Sequence, residues 1–224
     1  MPPAEDRPGR RAAATGREAQ RQQTRQRVYA AALAEFKRTG MAAADVGVIA
    51  AAAGVARGTF YFHFPTKEHV LAEFERHEEA RLVAQLAKSV DQLEERCGPP
   101  GSGRELLPAA LGEVVRLLTA MERRVGKTLF REMLGLHFSS RRPDVLPGAD
   151  QWTEYPVMTL VVEIVERARA RGEVYPGADA LPTAQFFMLG LYAMLITSHE
   201  YSRAGRAEIL DNFLATVLRG VQSR

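Results

Sequence analysis

The sequence predicts an all-α chain of about nine helices. Three observations carry this prediction. Apolar residues recur at helical spacing from Thr24 to Val221, no stretch alternates convincingly with period two, and Gly and Pro cut the 224 residues into segments of helix length. A hydrophobic share of 46% and a charged share of 25% are ordinary for a soluble globular chain with a real core.

Residues 1–20 are rich in Pro, Gly, Ala and Arg and lack apolar periodicity, so a disordered basic arm is expected there. They carry no signal-peptide pattern, which points to the cytoplasm. Thr24 is a candidate cap for a helix whose Val28, Ala31, Ala32, Leu33 and Phe36 share one face and which ends at Gly40. Asp45 can cap a short second helix through Val46, Ile49, Ala50 and Ala53, stopped by Gly54. A third short helix runs from about Arg57 to Phe62, and Pro65 bars its continuation. Thr66 then caps a long helix from Lys67 to about Arg96, with Val70, Leu71, Phe74, Leu82, Leu86, Val90 and Leu93 as its apolar positions. After the Gly98–Gly103 loop, further helices are predicted at about 104–121, 125–139, 153–171, 179–202 and 206–221, with Pro and Gly breaks at 142–148 and 175–177. The apolar stretch from Leu181 to Ser198 is interrupted by Pro182, Thr183, Gln185 and Gly190 and lacks basic anchors, so it reads as a buried helix and not as a membrane span.

Charge is unevenly distributed. Residues 1–70 hold 11 Lys and Arg against 6 Asp and Glu, whereas residues 71–224 hold 19 against 21. A basic head on a mildly acidic body suits contact with a polyanion, and nucleic acid fits better than a membrane because no basic amphipathic stripe with large apolar residues accompanies the charge. The segment DVGVIAAAAGVARGTFYFHFPTK (45–67) has helix-turn-helix character: Ala50 and Ala53 permit close crossing of a second helix, and Gly54 supplies the tight turn. Its third helix would present Arg57, Gly58, Thr59, Tyr61 and His63 to a major groove. Arg57 can fork to guanine, Thr59 can meet a base edge or thymine methyl, and Gly58 permits close backbone approach. Tyr61 and His63 can donate to phosphates, and Lys67 adds a charge at the start of the next helix. Phe60 and Phe64, four residues apart, are expected in the core.

The run GVARGTFYFHFPTKEHV (54–70), preceded by TRQRVYAAALAEFKRTGM (24–41), closely resembles the DNA-binding domain of the tetracycline-repressor (TetR) family of bacterial regulators. The resemblance implies that Arg57, Gly58 and Thr59 face bases and that Thr24, Tyr61, His63 and Lys67 hold the DNA backbone. It also implies an N-terminal helix-turn-helix domain over 21–68, followed by a ligand-binding and dimerisation domain over 69–224. Two positions depart from the family pattern. Ala56 stands where a Ser or Thr usually caps the third helix, a loss of about 1 kcal/mol. Gly47-Val48 replaces a commoner polar or basic pair, which removes one phosphate contact.

The last two helices bear on assembly. The segment from Phe186 to Ile196 is apolar all round and needs cover on every side, which a second copy of the chain would complete as a four-helix seam. Phe186, Leu189, Gly190, Ala193, Met194, Thr197, Phe213 and Val217 are the expected homodimer contacts. For an unidentified, largely apolar small-molecule effector, the candidate pocket residues are Phe74, His77, Phe130, Leu134, His137, Phe138, Trp152, Tyr155, Met158 and Tyr192, since aromatic and Met side chains with a few polar tips suit such a ligand. Trp152 and Tyr155 follow a Pro/Gly-rich loop able to gate entry. The sequence thus predicts a cytoplasmic homodimer on palindromic double-stranded operator DNA, a repressor released by its ligand, with a ligand-independent regulator or activator of the same fold as the alternative. No cofactor, metal or membrane partner is expected. A helical-bundle enzyme is disfavoured: Glu73 and Glu75 lack the Glu-x-x-His spacing to His77, no GxSxG, Walker or GxGxxG motif occurs, and Cys97 stands alone.

Overall fold

A computed structural model describes residues 8–139 and 155–222. Among these residues nine α-helices follow in order: α1 (Pro8–Thr39), α2 (Val46–Ala52), α3 (Arg57–His63), α4 (Lys67–Cys97), α5 (Leu106–Val125), α6 (Lys127–His137), α7 (Pro156–Ala170), α8 (Ala180–Thr197) and α9 (Arg203–Val221), with a short 3-10 turn at Ser198–Glu200. The predicted helices are present, mostly within a few residues of their predicted ends.

The largest difference lies at the N-terminus. Helix α1 begins at Pro8, so the expected disordered arm is helical from that residue on. Thr24 is therefore mid-helix and caps nothing; its hydroxyl donates back to the Gln20 carbonyl at 2.9 Å. The Ala, Arg, Gln and Glu of this stretch are good helix formers, and their propensity carries the helix past the point where apolar periodicity stops. Residues 16–23 remain exposed.

The head is α1 to α3 packed around Val28, Phe36, Ile49, Phe60 and Phe64, all essentially without solvent contact. Asp45 caps α2 as its sequence position predicts, accepting from the amides of Gly47 (2.6 Å) and Val48 (3.0 Å). These two bonds hold its carboxyl below the usual range. Gly54 takes φ +66°, the left-handed turn that Gly tolerates best. Ala56 leaves α3 without a side-chain cap, as expected.

Helix α4, about 46 Å long at 1.5 Å per residue, connects head and body. In the body α5 lies along α4, α7 packs on both and on α8, and α9 closes the layer against α5 and α8. The core holds Leu86, Val90, Leu107, Leu111, Leu118, Val161, Ile164 and Phe187. Buried charges cross between helices with partners: Glu78 of α4 with Arg124 of α5, and Glu122 of α5 with Arg206 of α9. Glu173 accepts from the Leu107 amide at 2.8 Å, placing a carboxylate at the positive end of α5.

Candidate nucleic-acid interface and ligand cavity

Helix α3 divides its aromatic run as its spacing predicts. Phe60 and Phe64 are buried, while Arg57, Gly58 and Tyr61 are exposed and Thr59 and His63 half-buried. Burial, then the charges of Arg21 and Arg25, lower the His63 pKa, so the ring is neutral near pH 7 and keeps one N–H to donate. Phe62 is an additional residue on this surface: its ring is 67% exposed, with the Arg21 guanidinium 5.5 Å from its centroid. The signal was present in the sequence, since a residue two places from both Phe60 and Phe64 points away from the face they share. Val48 of α2 is also exposed.

Lys67 has an internal role that the sequence does not predict. Its ammonium donates to the carbonyls of Met41 (2.7 Å), Ala42 (2.9 Å) and Ala44 (3.1 Å), which uses all three of its protons inside the head. Without DNA the charge thus holds the loop between α1 and α2, and a phosphate contact would have to compete with these three bonds. That loop is gripped from the other side too, because Glu132 of α6 accepts from the amides of Met41 (2.7 Å) and Ala42 (3.2 Å). Gly40 at φ +81° starts the loop, and a Cβ there would lie 3.0 Å from Glu132 Oε1. Two more links join α1 to α4. Arg25 pairs with Glu73 while stacking 4.4 Å from the Phe64 centroid, and the Tyr29 hydroxyl lies 3.1 Å from His77 Nδ1.

A cavity of about 750 Å³ opens between the C-terminal end of α6, the start of α7 and the middle of α8, with Glu79 of α4 in its wall. Five predicted pocket residues line it: His137, Phe138, Tyr155, Met158 and Tyr192. His137 sits at the centre of an aromatic group, 5.0 Å from Phe138, 5.2 Å from Tyr155 and 6.2 Å from Tyr192 by ring centroid. Phe130 and Leu134 lie along a narrow inner extension that shares Glu79, His137, Val157 and Tyr192 with the main cavity. Phe74 is buried but not in the cavity wall, and His77 is exposed on the α1 side, so these two are not brought to the others. Trp152 and the predicted gating loop lie outside the described residues.

Glu75 and Glu79 are the acidic wall residues among those the sequence reading does not include. Glu75 Oε1 is 2.6 Å from His137 Nδ1. Their signal was legible: they occupy the buried face of α4 with Leu71, Leu82 and Leu86, and an acid in an apolar stripe asks for a reason.

On α8 the predicted dimer residues Phe186, Leu189, Ala193 and Thr197 share one exposed face, with Phe186 and Leu189 at 66% and 61% exposure. Met194 is half-buried. Three others look inward. Val217 is buried among the chain's own helices, Phe213 stacks on Phe187 at 5.9 Å, and a Cβ on Gly190 would strike the Phe213 ring at 2.5 Å. For Val217 the expected surface role is corrected, because packing α9 on α8 already consumes that side chain. By length and mean hydropathy, 1.5, α8 would suit a membrane span, yet its other face is part of the helical core.

Residues 28–74 match the profile of bacterial regulatory proteins of the tetR family. The chain is 34% identical over 103 residues to the HTH-type transcriptional regulator AcrR of Shigella flexneri, covering 46% of this chain and 45% of that one. It is 33% identical over 110 residues to TtgR of Pseudomonas putida, covering 48% and 50%. These matches span about half the length of the curated relatives. In fold, it is similar over 89% of its length to 96% of Thermus thermophilus FadR, a repressor crystallised with lauroyl-CoA, at a TM-score of 0.62 and 24% identity. It is similar over the same share to 90% of SmeT, the repressor of a Stenotrophomonas maltophilia multidrug efflux pump, at 0.60 and 20%.

Proposed function

We propose, on the match of residues 28–74 to the tetR-family profile, that the chain is a tetR-family DNA-binding regulator: a homodimeric, cytoplasmic repressor of a palindromic operator, released by a small molecule bound in the α6–α8 cavity. Helix α6 carries this reading. Its last residue, His137, belongs to the cavity, and five residues earlier Glu132 holds the α1–α2 loop of the head. A ligand that prefers a shifted α6 therefore acts on the segment that Lys67 fixes from the α4 side.

In a dimer, two recognition helices read adjacent half-sites when they stand about 34 Å apart. Ligand binding lowers operator affinity by as much as the ligand favours the state with displaced heads. Similarity in fold to a repressor crystallised with lauroyl-CoA, and to the repressor of a multidrug efflux pump, supports a ligand-controlled body.

The test is operator binding followed by fluorescence anisotropy, with and without a ligand found by thermal shift. Wild-type protein should lose operator affinity as ligand is added. Glu132→Gln should still bind the ligand but lose about tenfold in the coupling between ligand and DNA. Release that is unchanged in Glu132→Gln would remove α6 from the mechanism, and the absence of any releasing ligand would favour a ligand-independent regulator.

A further inference from the structure

Helices α2 and α3 have little charge with which to meet DNA. From Val46 to His63 the one formally charged side chain is Arg57, and the exposed residues of α2, Val48, Ala51 and Ala52, are all apolar. His63 is neutral near pH 7, and the Lys67 ammonium is bonded to three carbonyls of the head. Binding to a duplex draws much of its free energy from cations that displace the counterions of the phosphates, so a head that binds DNA must bring them from another element.

The N-terminal half of α1 carries them. From Gly16 to Arg27 it holds four Arg against one Glu. Arg25 pairs with Glu73 of α4, whereas Arg17, Arg21 and Arg27 are exposed. Arg21 and Arg27 stand at opposite ends of α3. The Arg21 guanidinium rests 5.5 Å from the centroid of the exposed Phe62 ring, at the last turn of α3, and after burial its charge is the next cause of the lowered His63 pKa. Arg27 lies beside the α2–α3 turn, its Nη1 3.9 Å from the place that a Cβ on Gly54 would take. Both are lightly held. Arg21 meets Glu18 at 3.7 Å with both side chains more than half exposed, and Arg27 meets the Thr24 hydroxyl at 3.5 Å. Exposed contacts of this kind contribute little and exchange readily for the charge-assisted bond to a phosphate oxygen. The exposed Phe62 ring gains a purpose here, because a guanidinium stacked on it has fewer directions in which to point and loses less freedom on meeting a phosphate.

We infer that α1 is a second DNA-contacting element, whose Arg21 and Arg27 grip phosphates on either side of α3, with Phe62 as the positioning residue for Arg21. The inference rests on reading the head as a DNA-binding one. Contacts to phosphate carry no base sequence, so α1 adds affinity for any duplex and leaves the choice of bases to α3.

The experiment is the salt dependence of binding by the full-length protein, read by fluorescence anisotropy on its selected operator and on a random duplex. Arg21→Gln and Arg27→Gln should each weaken binding to both duplexes by about tenfold, and each should make the slope of log affinity against log salt shallower by about two per bound dimer. The ratio of operator to random affinity should stay within about twofold of wild type. Both side chains are exposed, so the melting temperature should not move. Phe62→Leu should weaken binding to both duplexes, and Phe62→Tyr, which keeps a ring under Arg21, should bind as wild type does. An unchanged slope in either Arg variant would overturn the inference for that residue, a loss confined to the operator would place it on bases instead, and a Phe62→Leu that binds normally would remove the ring from the account. These outcomes leave the regulator reading in place. That reading falls if wild-type protein selects no operator, and the slopes on the random duplex then still decide whether α1 holds phosphates.

Discussion

Among single residues, Lys67 marks the boundary of what sequence reasoning reaches. A lysine at the start of α4 beside a recognition helix reads as a phosphate contact, yet its ammonium is consumed by three carbonyls of the α1–α2 loop. Those acceptors are main-chain atoms 23 to 26 residues away, and no side-chain pattern announces them. Lys67→Met should therefore lower stability by about 1–2 kcal/mol, visible in denaturant unfolding, and leave the salt dependence of DNA binding per bound dimer unchanged. A salt slope shallower by about two counterions per dimer, with stability intact, would restore the phosphate role. Arg57 is exposed at the start of α3. Arg57→Ala should flatten discrimination at one base pair per half-site, by about 1–3 kcal/mol, in competition assays with mutated operators. Equal losses on operator and random DNA would place it on the backbone instead. Phe60 against Tyr61 could be sorted from spacing alone because a seven-residue helix leaves little freedom in which face is buried.

At the scale of elements, the helices were legible almost throughout because their ends are marked by local chemistry: Asp45 before α2, Gly54 after it, and Pro65 after α3. The start of α1 was not, since a polar helix without an apolar stripe has no periodic signature. The link from α6 to the head was also illegible. It depends on Glu132 meeting Met41, 91 residues apart in sequence. The acids of α4 fall between these cases: Glu75 and Glu79 sit in the heptad-like apolar stripe where the sequence shows them, but only the fold brings them to His137 and Tyr192. One local defect gives a clean prediction. Ala56 offers no side-chain acceptor to the first amides of α3, so Ala56→Ser should raise stability by about 0.5–1 kcal/mol, read as an increase in melting temperature. No increase would mean that water already satisfies those amides as well as a hydroxyl does.

For the whole molecule, the exposed face of α8 matters most. Phe186, Leu189, Ala193 and Thr197 present an apolar surface that suits a second copy, and a palindromic operator demands two heads. Phe186→Glu should give a monomer by analytical ultracentrifugation and weaken operator binding by about a hundredfold, because the second half-site is no longer engaged in the same event. A variant that stays dimeric would move the interface elsewhere. Whether this chain reads DNA as a two-fold dimer is decided by selection of randomised duplexes with the purified protein. A two-fold dimer should enrich a palindrome whose half-site centres are separated by about one helical turn, or a multiple of it. Enrichment of a single asymmetric site, or of nothing above random sequence, would contradict it.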